Sequence, residues 1–468
     1  MRDLSAIVKA YDIRGLVGEQ LDEALVWDIG AAFGDLVDGE ADGASSVIVG
    51  HDMRTSSPGL AAAFAEGVTD RGLDVVSIGL ASTDMLYFAS GYLDQPGAMF
   101  TASHNPARYN GIKLCRAGAA PVGQESGLDK IRAAVERGVG AGPGGGTVTE
   151  RDMLDEYAEY LRGLVDISGS RELRVVVDAG NGMAGYTVPA VFDGLPLALT
   201  PLYFELDGTF PNHEANPLDP ANLVDLQTAV SEHGADLGLA FDGDADRCFV
   251  VDEHGDPVSP SAITALVATR ELVRAKANGE RAAVVIYNLI TSRAVPEIVT
   301  EYGGKPMRTR VGHSFIKQAM AETGAIFGGE HSAHYYFRDF WRADSGMLAA
   351  LHVLAALGSQ DRPLSELMAE FKRYAASGEI NSKVDDQRGR MDAVRGHFVG
   401  RDGTRTDEVD GLTVQFEDGS WFNLRPSNTE PLLRLNVEAH SESEVAALRD
   451  EVLALIRAPD SSASRRTR

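Results

Sequence analysis

A short apolar run that ends in phenylalanine and breaks at once into a polar loop occurs three times in this chain. Gly97-Ala98-Met99-Phe100 leads into Thr101-Ala102-Ser103-His104-Asn105-Pro106. Gly238-Leu239-Ala240-Phe241 leads into Asp242-Gly243-Asp244-Ala245-Asp246, and Gly324-Ala325-Ile326-Phe327 into Gly328-Gly329-Glu330-His331-Ser332-Ala333-His334. Apolar runs this short suit buried strands rather than helices. Further strand-like runs at residues 46–49, 75–78, 173–177 and 282–287 alternate with helix-like stretches such as 59–70. Alternation of this kind predicts α/β layers with mainly parallel sheets, in which ligands collect beyond the strand ends. The expected fold class is α/β, with three related mixed-sheet domains that each deliver a chemically different loop at an equivalent strand end.

The end of the chain reads differently. Residues 411–416, 420–424 and 432–438 have strand character and 442–456 helical character, which predicts a smaller C-terminal α+β domain followed by a polar, disordered tail at 458–468. A chain of 468 residues is also too long for one core. The expected domains are 1–148, 149–256, 257–375 and 376–468, with the glycine-rich stretch 138–146 as a loop or linker.

Composition narrows the partners. A net charge of −26 argues against nucleic acid or an anionic membrane surface. An anionic substrate would need cations gathered locally, so Arg and Lys inside loops carry more information than usual. The N-terminus lacks an apolar signal core and no stretch is apolar enough to span a membrane, so a cytoplasmic protein is expected. Cys115 and Cys248 follow polar loops in apolar runs and read as buried, reduced thiols.

Each loop has a plausible chemistry and a plain alternative. Ser103 is a hydroxyl presented in a tight loop that Asn105-Pro106 keeps from becoming helical, as a carrier of a covalent group requires. A serine in such a sequence can equally satisfy only its own turn. No G-x-S-x-G elbow surrounds it, and His104, being adjacent, need not point toward it. Asp242, Asp244 and Asp246 alternate so that an extended loop can turn all three onto one hard cation such as Mg²⁺ or Ca²⁺. Glu253 falls where a calcium-binding EF-hand would place its last ligand, but Arg247 stands where that loop needs glycine. The strand-like run after Arg247 argues against it too. Arg425-Pro426-Ser427-Asn428-Thr429, with Arg434 nearby, collects donors suited to a phosphate dianion, although a polar hairpin turn would look similar. Glu330 and Ser332 can hold adjacent sugar hydroxyls, with His334 beside them. Carrier, metal site and anion site together point to phosphoryl transfer.

In this order the motifs resemble the phosphohexomutase superfamily, most of all its phosphomannomutase/phosphoglucomutase branch. Ala10-Tyr11-Asp12-Ile13-Arg14-Gly15 is similar to the family's N-terminal motif, residues 101–106 to its phosphoserine loop, and Asp242 to Arg247 to its metal loop. Residues 329–334 resemble its sugar loop and 425–429 its phosphate loop. The resemblance implies four domains around a central cleft and a reversible shift of phosphate between O6 and O1 of a hexose. Ser103 would carry the phosphoryl group beside His104. Asp242, Asp244, Asp246 and a phosphate oxygen on Ser103 would hold Mg²⁺. Lys113 and His313 would be acid–base candidates, with Arg247 lining the reacting centre. Tyr11, Arg14, Glu330, Ser332, His334, Arg425, Ser427, Asn428, Thr429 and Arg434 would bind substrate.

Hexose phosphates are the implied partners, mannose phosphates first and glucose phosphates as alternatives, with hexose 1,6-bisphosphate as intermediate and activator. The oligomeric state is left as monomer or homodimer. Two departures stand out. Many relatives carry a lysine in a strand-end motif that here reads Asn288-Leu289-Ile290-Thr291-Ser292-Arg293, and His331 stands where other branches have Met, Glu or Gln. Rival readings are a phosphoglucosamine mutase, a metal-dependent sugar-phosphate phosphatase and a non-catalytic sugar-phosphate sensor.

Overall fold

The computed structural model describes residues 3–40, 43–427 and 432–458. The first three sheets share one local plan. Each loop-bearing strand has a parallel neighbour on one side and an antiparallel return strand on the other. In the first sheet Gly97–Phe100 lies between Ser46–His51 and Tyr109–Arg116. In the second, Leu237–Phe241 lies between Leu173–Asp178 and Cys248–Asp252. In the third, Phe327–Gly329 lies between Val284–Asn288 and Tyr335–Phe337. The sheets are therefore mixed, because the chain leaves each polar loop by turning straight back rather than crossing over. All residues of the three loop-bearing strands are buried, which explains their unbroken apolar pattern.

The third repeat differs from its sequence pattern. Gly324 ends the helix His313–Thr323 in a left-handed conformation (φ 69°), as C-terminal glycines do, and the strand begins only at Phe327. The stretch 138–146 is a loop, but one strapped to the protein. Gly142 N–H donates to Asp70 Oδ2 at 2.7 Å, and Gly144 and Gly146 donate to the carbonyls of Asp70 and Thr69 at 2.8 and 3.2 Å. A Cβ on Gly142 or Gly146 would sit 2.2 or 2.0 Å from a carbonyl oxygen, so glycine serves close approach there. The next strand, Val148–Glu150, runs parallel to Asp74–Leu80 at the edge of the first sheet and straddles the expected domain boundary.

The fourth sheet is antiparallel, in the order Ala375–Lys383, Leu432–Ala439, Trp421–Pro426, Leu412–Phe416 and Thr404–Asp407. Its core, which includes Val394, Phe398, Leu412, Phe422 and Val452, is separate from the others. The helix Glu442–Ile456 lies where the sequence predicts it. The sequence reading misses three elements. Ala375–Lys383 is an edge strand of low strand propensity broken by a bulge, Thr404–Asp407 is polar, and the helix Gln387–Phe398 contains two glycines.

One core runs continuously through the first three units, including Phe88 of the first, Tyr157 of the second and Phe340 of the third. At its centre a buried carboxylate ties the three together. Asp84 Oδ2 accepts from Tyr157 Oη at 2.7 Å and from Ser345 Oγ at 2.7 Å, while Ser82 Oγ also donates to Asp84. Burial is the main cause that pushes its pKa up to about 6, against three hydroxyl donors that lower it. The folded value exceeds the unfolded one, so this group's stabilisation is complete below an unfolded value near 3.8 and is lost as pH rises through about 6. Denaturant titrations of the wild type and Asp84→Asn at several pH values should show the wild type losing on the order of 3 kcal/mol relative to the variant across that window. A pH-independent difference would show that Asp84 does not titrate there.

Candidate active site

Ser103 closes the first loop in a left-handed conformation (φ 50°), unusual for a residue with a side chain. What holds it there is Arg54, a side chain the sequence reading did not single out. Its Nη2 donates to the carbonyls of Ser103 and Asn105 at 2.8 and 2.7 Å, and its Nη1 to those of Pro106 and Tyr109 at 3.0 and 3.1 Å. Asp52 receives Arg54 Nε at 3.1 Å, and both side chains are fully buried. The signal was present: a charged pair directly follows the apolar strand Ser46–His51, whose parallel neighbour carries Ser103. Arg14 adds a second grip, its Nη1 donating to Asn105 Oδ1 at 2.7 Å and its Nη2 pairing with Asp12 at 2.5 Å.

The first two loops meet backbone to backbone. A Cβ on Gly243 would lie 2.5 Å from the carbonyl oxygen of Ser103, so only glycine permits the approach. Ser103 Oγ donates to Asp242 Oδ2 at 2.8 Å. His104 does turn toward the serine, with Nδ1 3.1 Å from Ser103 Oγ, and the same nitrogen accepts from Arg247 Nη2 at 2.5 Å. Burial first, then the charges of Arg247 and Arg14, push the His104 pKa well below its usual value, so this imidazole is a neutral acceptor.

Asp242, Asp244 and Asp246 are buried, with one oxygen from each within 4.8 Å of the others. Arg247 Nη2 pairs with Asp242 Oδ2 at 2.7 Å, and Lys113 Nζ lies 2.6 Å from both Asp244 Oδ2 and Asp246 Oδ2. Thr83 Oγ1 also donates to Asp244 Oδ2 at 2.6 Å. Burial is the largest influence on Asp242 and raises its pKa to about 7, with Arg247 opposing. Burial would raise Asp246 as well, but Lys113 and His334 hold it well below the carboxylate range. Among the described residues, buried Asp244 Oδ1 accepts no hydrogen bond and buried Asp246 Oδ1 has only the longer 3.6 Å contact with His334 Nε2. Hard oxygen donors in surplus, Asp244 Oδ1 among them unpartnered, fit a small divalent cation such as Mg²⁺.

The third loop bridges two places. At one end His334 and Arg247 pair across the backbone, and His334 Nε2 lies 3.6 Å from Asp246 Oδ1. Burial alone would lower the His334 pKa, but Asp246 raises it. Ser332 Oγ lies 3.0 Å from His334 Nδ1. Glu330 is buried and already engaged, accepting from Tyr336 Oη at 2.8 Å, Asn288 Nδ2 at 3.1 Å and Gly312 N–H at 3.2 Å. At the other end, burial lowers the His331 pKa while the opposed charges of Glu379 and Arg425 act on it from the fourth domain. Asp246, His334 and Asp344 form a second close group, in which Lys317 neutralises Asp344 at 2.6 Å.

Arg425 and Arg434 belong to strands rather than to the turn and face each other in register. Ser427 N–H closes the hairpin on the Leu432 carbonyl at 2.9 Å, while Asn428 and Thr429 lie outside the described residues. Tyr11 packs edge-on to Phe315, its hydroxyl so close to Gly312 that a Cβ there would be 2.5 Å away. His313 opens the helix His313–Thr323, and its side chain lies outside the described residues.

The models of the phosphoglucomutase/phosphomannomutase alpha/beta/alpha domains I, II and III match residues 5–139, 155–255 and 259–374, and that of the C-terminal domain matches 379–455. The chain belongs to the phosphoglucomutase/phosphomannomutase family. It is 39% identical to a phosphomannomutase of Vibrio cholerae serotype O1 over 97% of both chains. It is 40% identical to a protein described as phosphohexose mutases from Xanthomonas campestris, over 95% of this chain and 97% of that one. Among solved structures, a family protein from Burkholderia thailandensis superposes with a TM-score of 0.86 at 33% identity, covering 97% of this chain and 98% of that one. Parafusin, a Paramecium phosphoglucomutase, shares the fold at TM-score 0.78 and 19% identity, over 96% and 94% of the two chains. The chain is thus a phosphohexomutase, an isomerase. Among its described residues no helix is long and apolar enough to cross a membrane.

The mutase's carboxylates generate a direct test. Lys113→Met leaves Asp244 and Asp246 without their shared cation, and breaking such a buried pair costs about 3–5 kcal/mol. Thermal melts in chelator should show a clear loss of stability that millimolar Mg²⁺ largely restores. Asp244→Asn should bind Mg²⁺ more weakly, at least about tenfold by calorimetry. Unchanged melts and unchanged affinity would show that these aspartates form only a structural turn.

Proposed function

We propose that this mutase interconverts mannose 6-phosphate and mannose 1-phosphate, with glucose phosphates as alternative substrates. Ser103 is the phosphoryl carrier, and a hexose 1,6-bisphosphate is both intermediate and activator. The single observation that carries this reading is the 2.8 Å contact between Ser103 Oγ and Asp242. A hydroxyl held against one of three clustered carboxylates would place a phosphoryl group carried on it beside the cation that those carboxylates are suited to bind. Mg²⁺ bound by Asp242, Asp244, Asp246 and a phosphate oxygen on Ser103 would supply charge neutralisation for the phosphoryl group.

The chain's own groups supply the rest. Arg247, 3.5 Å from Ser103 Oγ and paired with Asp242, places a fixed guanidinium over the reacting oxygen. Lys113 and His313 remain the proposed acid–base pair. His334, raised in pKa beside Asp246, joins them as a third group able to hold a proton next to the carrier. Arg14 reaches the carrier loop through Asn105, and Tyr11 faces Gly312 of the third unit. Glu330 and Ser332 grip sugar hydroxyls, and Arg425, Ser427, Asn428, Thr429 and Arg434 hold the phosphate that is not reacting. The sugar loop supports this division of labour, since His334 pairs with Arg247 at the metal loop while the charge of Arg425 acts on His331 at its other end.

A coupled assay on mannose 1-phosphate, glucose 1-phosphate and glucosamine 1-phosphate tests the substrate, with mannose expected to give the highest kcat/KM. Ser103→Ala should fold normally and lose at least about three orders of magnitude in kcat. Peptide mapping of wild-type protein should find the phosphoryl group on the peptide holding Ser103. Near-normal turnover by the variant, or inorganic phosphate as the main product, would exclude the covalent mutase reading.

A further inference from the structure

Glu379 lies between Arg425 and Arg434, its Oε2 2.6 Å from Arg425 Nη2 and its Oε1 3.6 Å from Arg434 Nη1. The two arginines are direct partners on adjacent strands, an arrangement that like charges make unfavourable. Glu379 reaches them from the neighbouring edge strand because the register slips between Ala376 and Glu379, where Gly378 takes a left-handed conformation (φ 65°). The bulge therefore aims a carboxylate at the arginines. It does not saturate them. Among the described residues, Arg425 Nε and Arg434 Nε are buried without a hydrogen-bond partner, and Glu379 reaches each guanidinium through one nitrogen. A dianionic phosphate, with more oxygens and greater charge, can use donors that one carboxylate leaves idle.

We infer that Glu379 is a resident anion of the phosphate clamp, occupying the Arg425–Arg434 pair until a substrate phosphate displaces it. This rests on the reading of Arg425 as a phosphate-binding group. Glu379 then sets how tightly the clamp holds. It neutralises two adjacent cations when no phosphate competes, and it opposes retention of the phosphate so that a bisphosphorylated sugar can be released and rebound in the opposite orientation. It is a positioning residue, acting through the arginines rather than on the reacting atoms.

The probes are inorganic phosphate and mannose 1-phosphate, used with the full chain. Glu379→Gln keeps the shape of the side chain and removes its charge. It should lower the calorimetric Kd for inorganic phosphate and the KM for mannose 1-phosphate together, by about 3- to 10-fold, with a steeper dependence on salt. Its melting temperature should fall without phosphate and recover with it. Glu379→Ala should shift both constants in the same direction, which guards against a folding defect peculiar to one variant. Constants that are unchanged or raised in both variants would overturn the inference, since a glutamate that merely holds the arginines in place predicts weaker binding on its removal. Arg425→Ala tests the underlying reading separately. If it leaves phosphate affinity unchanged, Arg425 is not a phosphate ligand and the inference falls with that reading. If it weakens phosphate binding while the Glu379 variants do not strengthen it, the clamp stands and the inference alone is overturned.

Discussion

Three carboxylates buried in a five-residue loop repel one another unless cations are brought to them, and much of the rest of the structure serves that requirement. Asp242, Asp244 and Asp246 draw Lys113 from the first unit, Arg247 from their own and His334 from the third. No single domain could supply all of these, because one strand end presents one loop. The continuous core through the first three units and the Asp84 hub hold those strand ends in register with each other. Separating the domains would leave buried charge uncompensated, which couples the integrity of the site to the packing of the whole.

The equivalence of the three sheets gives this arrangement its economy. Each delivers its loop from the same position, between a parallel neighbour and an antiparallel return, and each loop contains a non-glycine residue with positive φ: Ser103, Ala245 and Ala333. Strain of this kind persists only where the surroundings over-determine the backbone. For Ser103 the determinant is Arg54, whose buried guanidinium satisfies several carbonyls of the loop at once. The hydroxyl is thus fixed by the fold itself, as the carrier role proposed for it would require.

The limits of sequence reading follow the same physics. The first two loops were legible because their composition is extreme: a serine before His-Asn-Pro, and alternating aspartates. Glu379 was not, and Arg54 was legible only as half of a charged pair that follows a strand. Arg54 follows an ordinary apolar strand, and its importance lies in carbonyls some 50 residues away. Glu379 sits in a strand of weak propensity and is aimed by a bulge that no periodicity announces. His104 illustrates the opposite case, where adjacency in sequence gave no hint of orientation and Arg247, from another domain, decided it.

The sequence by itself determined the fold class, the strands that end in polar loops and the composition of each loop. Those properties depend on local composition and on periodicities of two and 3.6 residues, which any short window displays. Only the tertiary structure decided which loops face one another, which carboxylate receives the serine, which histidine stays neutral and which arginines are already paired. Such facts depend on contacts such as Ser103 with Asp242, 139 residues apart, and on burial. Charge in a folded protein is set by neighbours in space, and sequence alone does not say who they are.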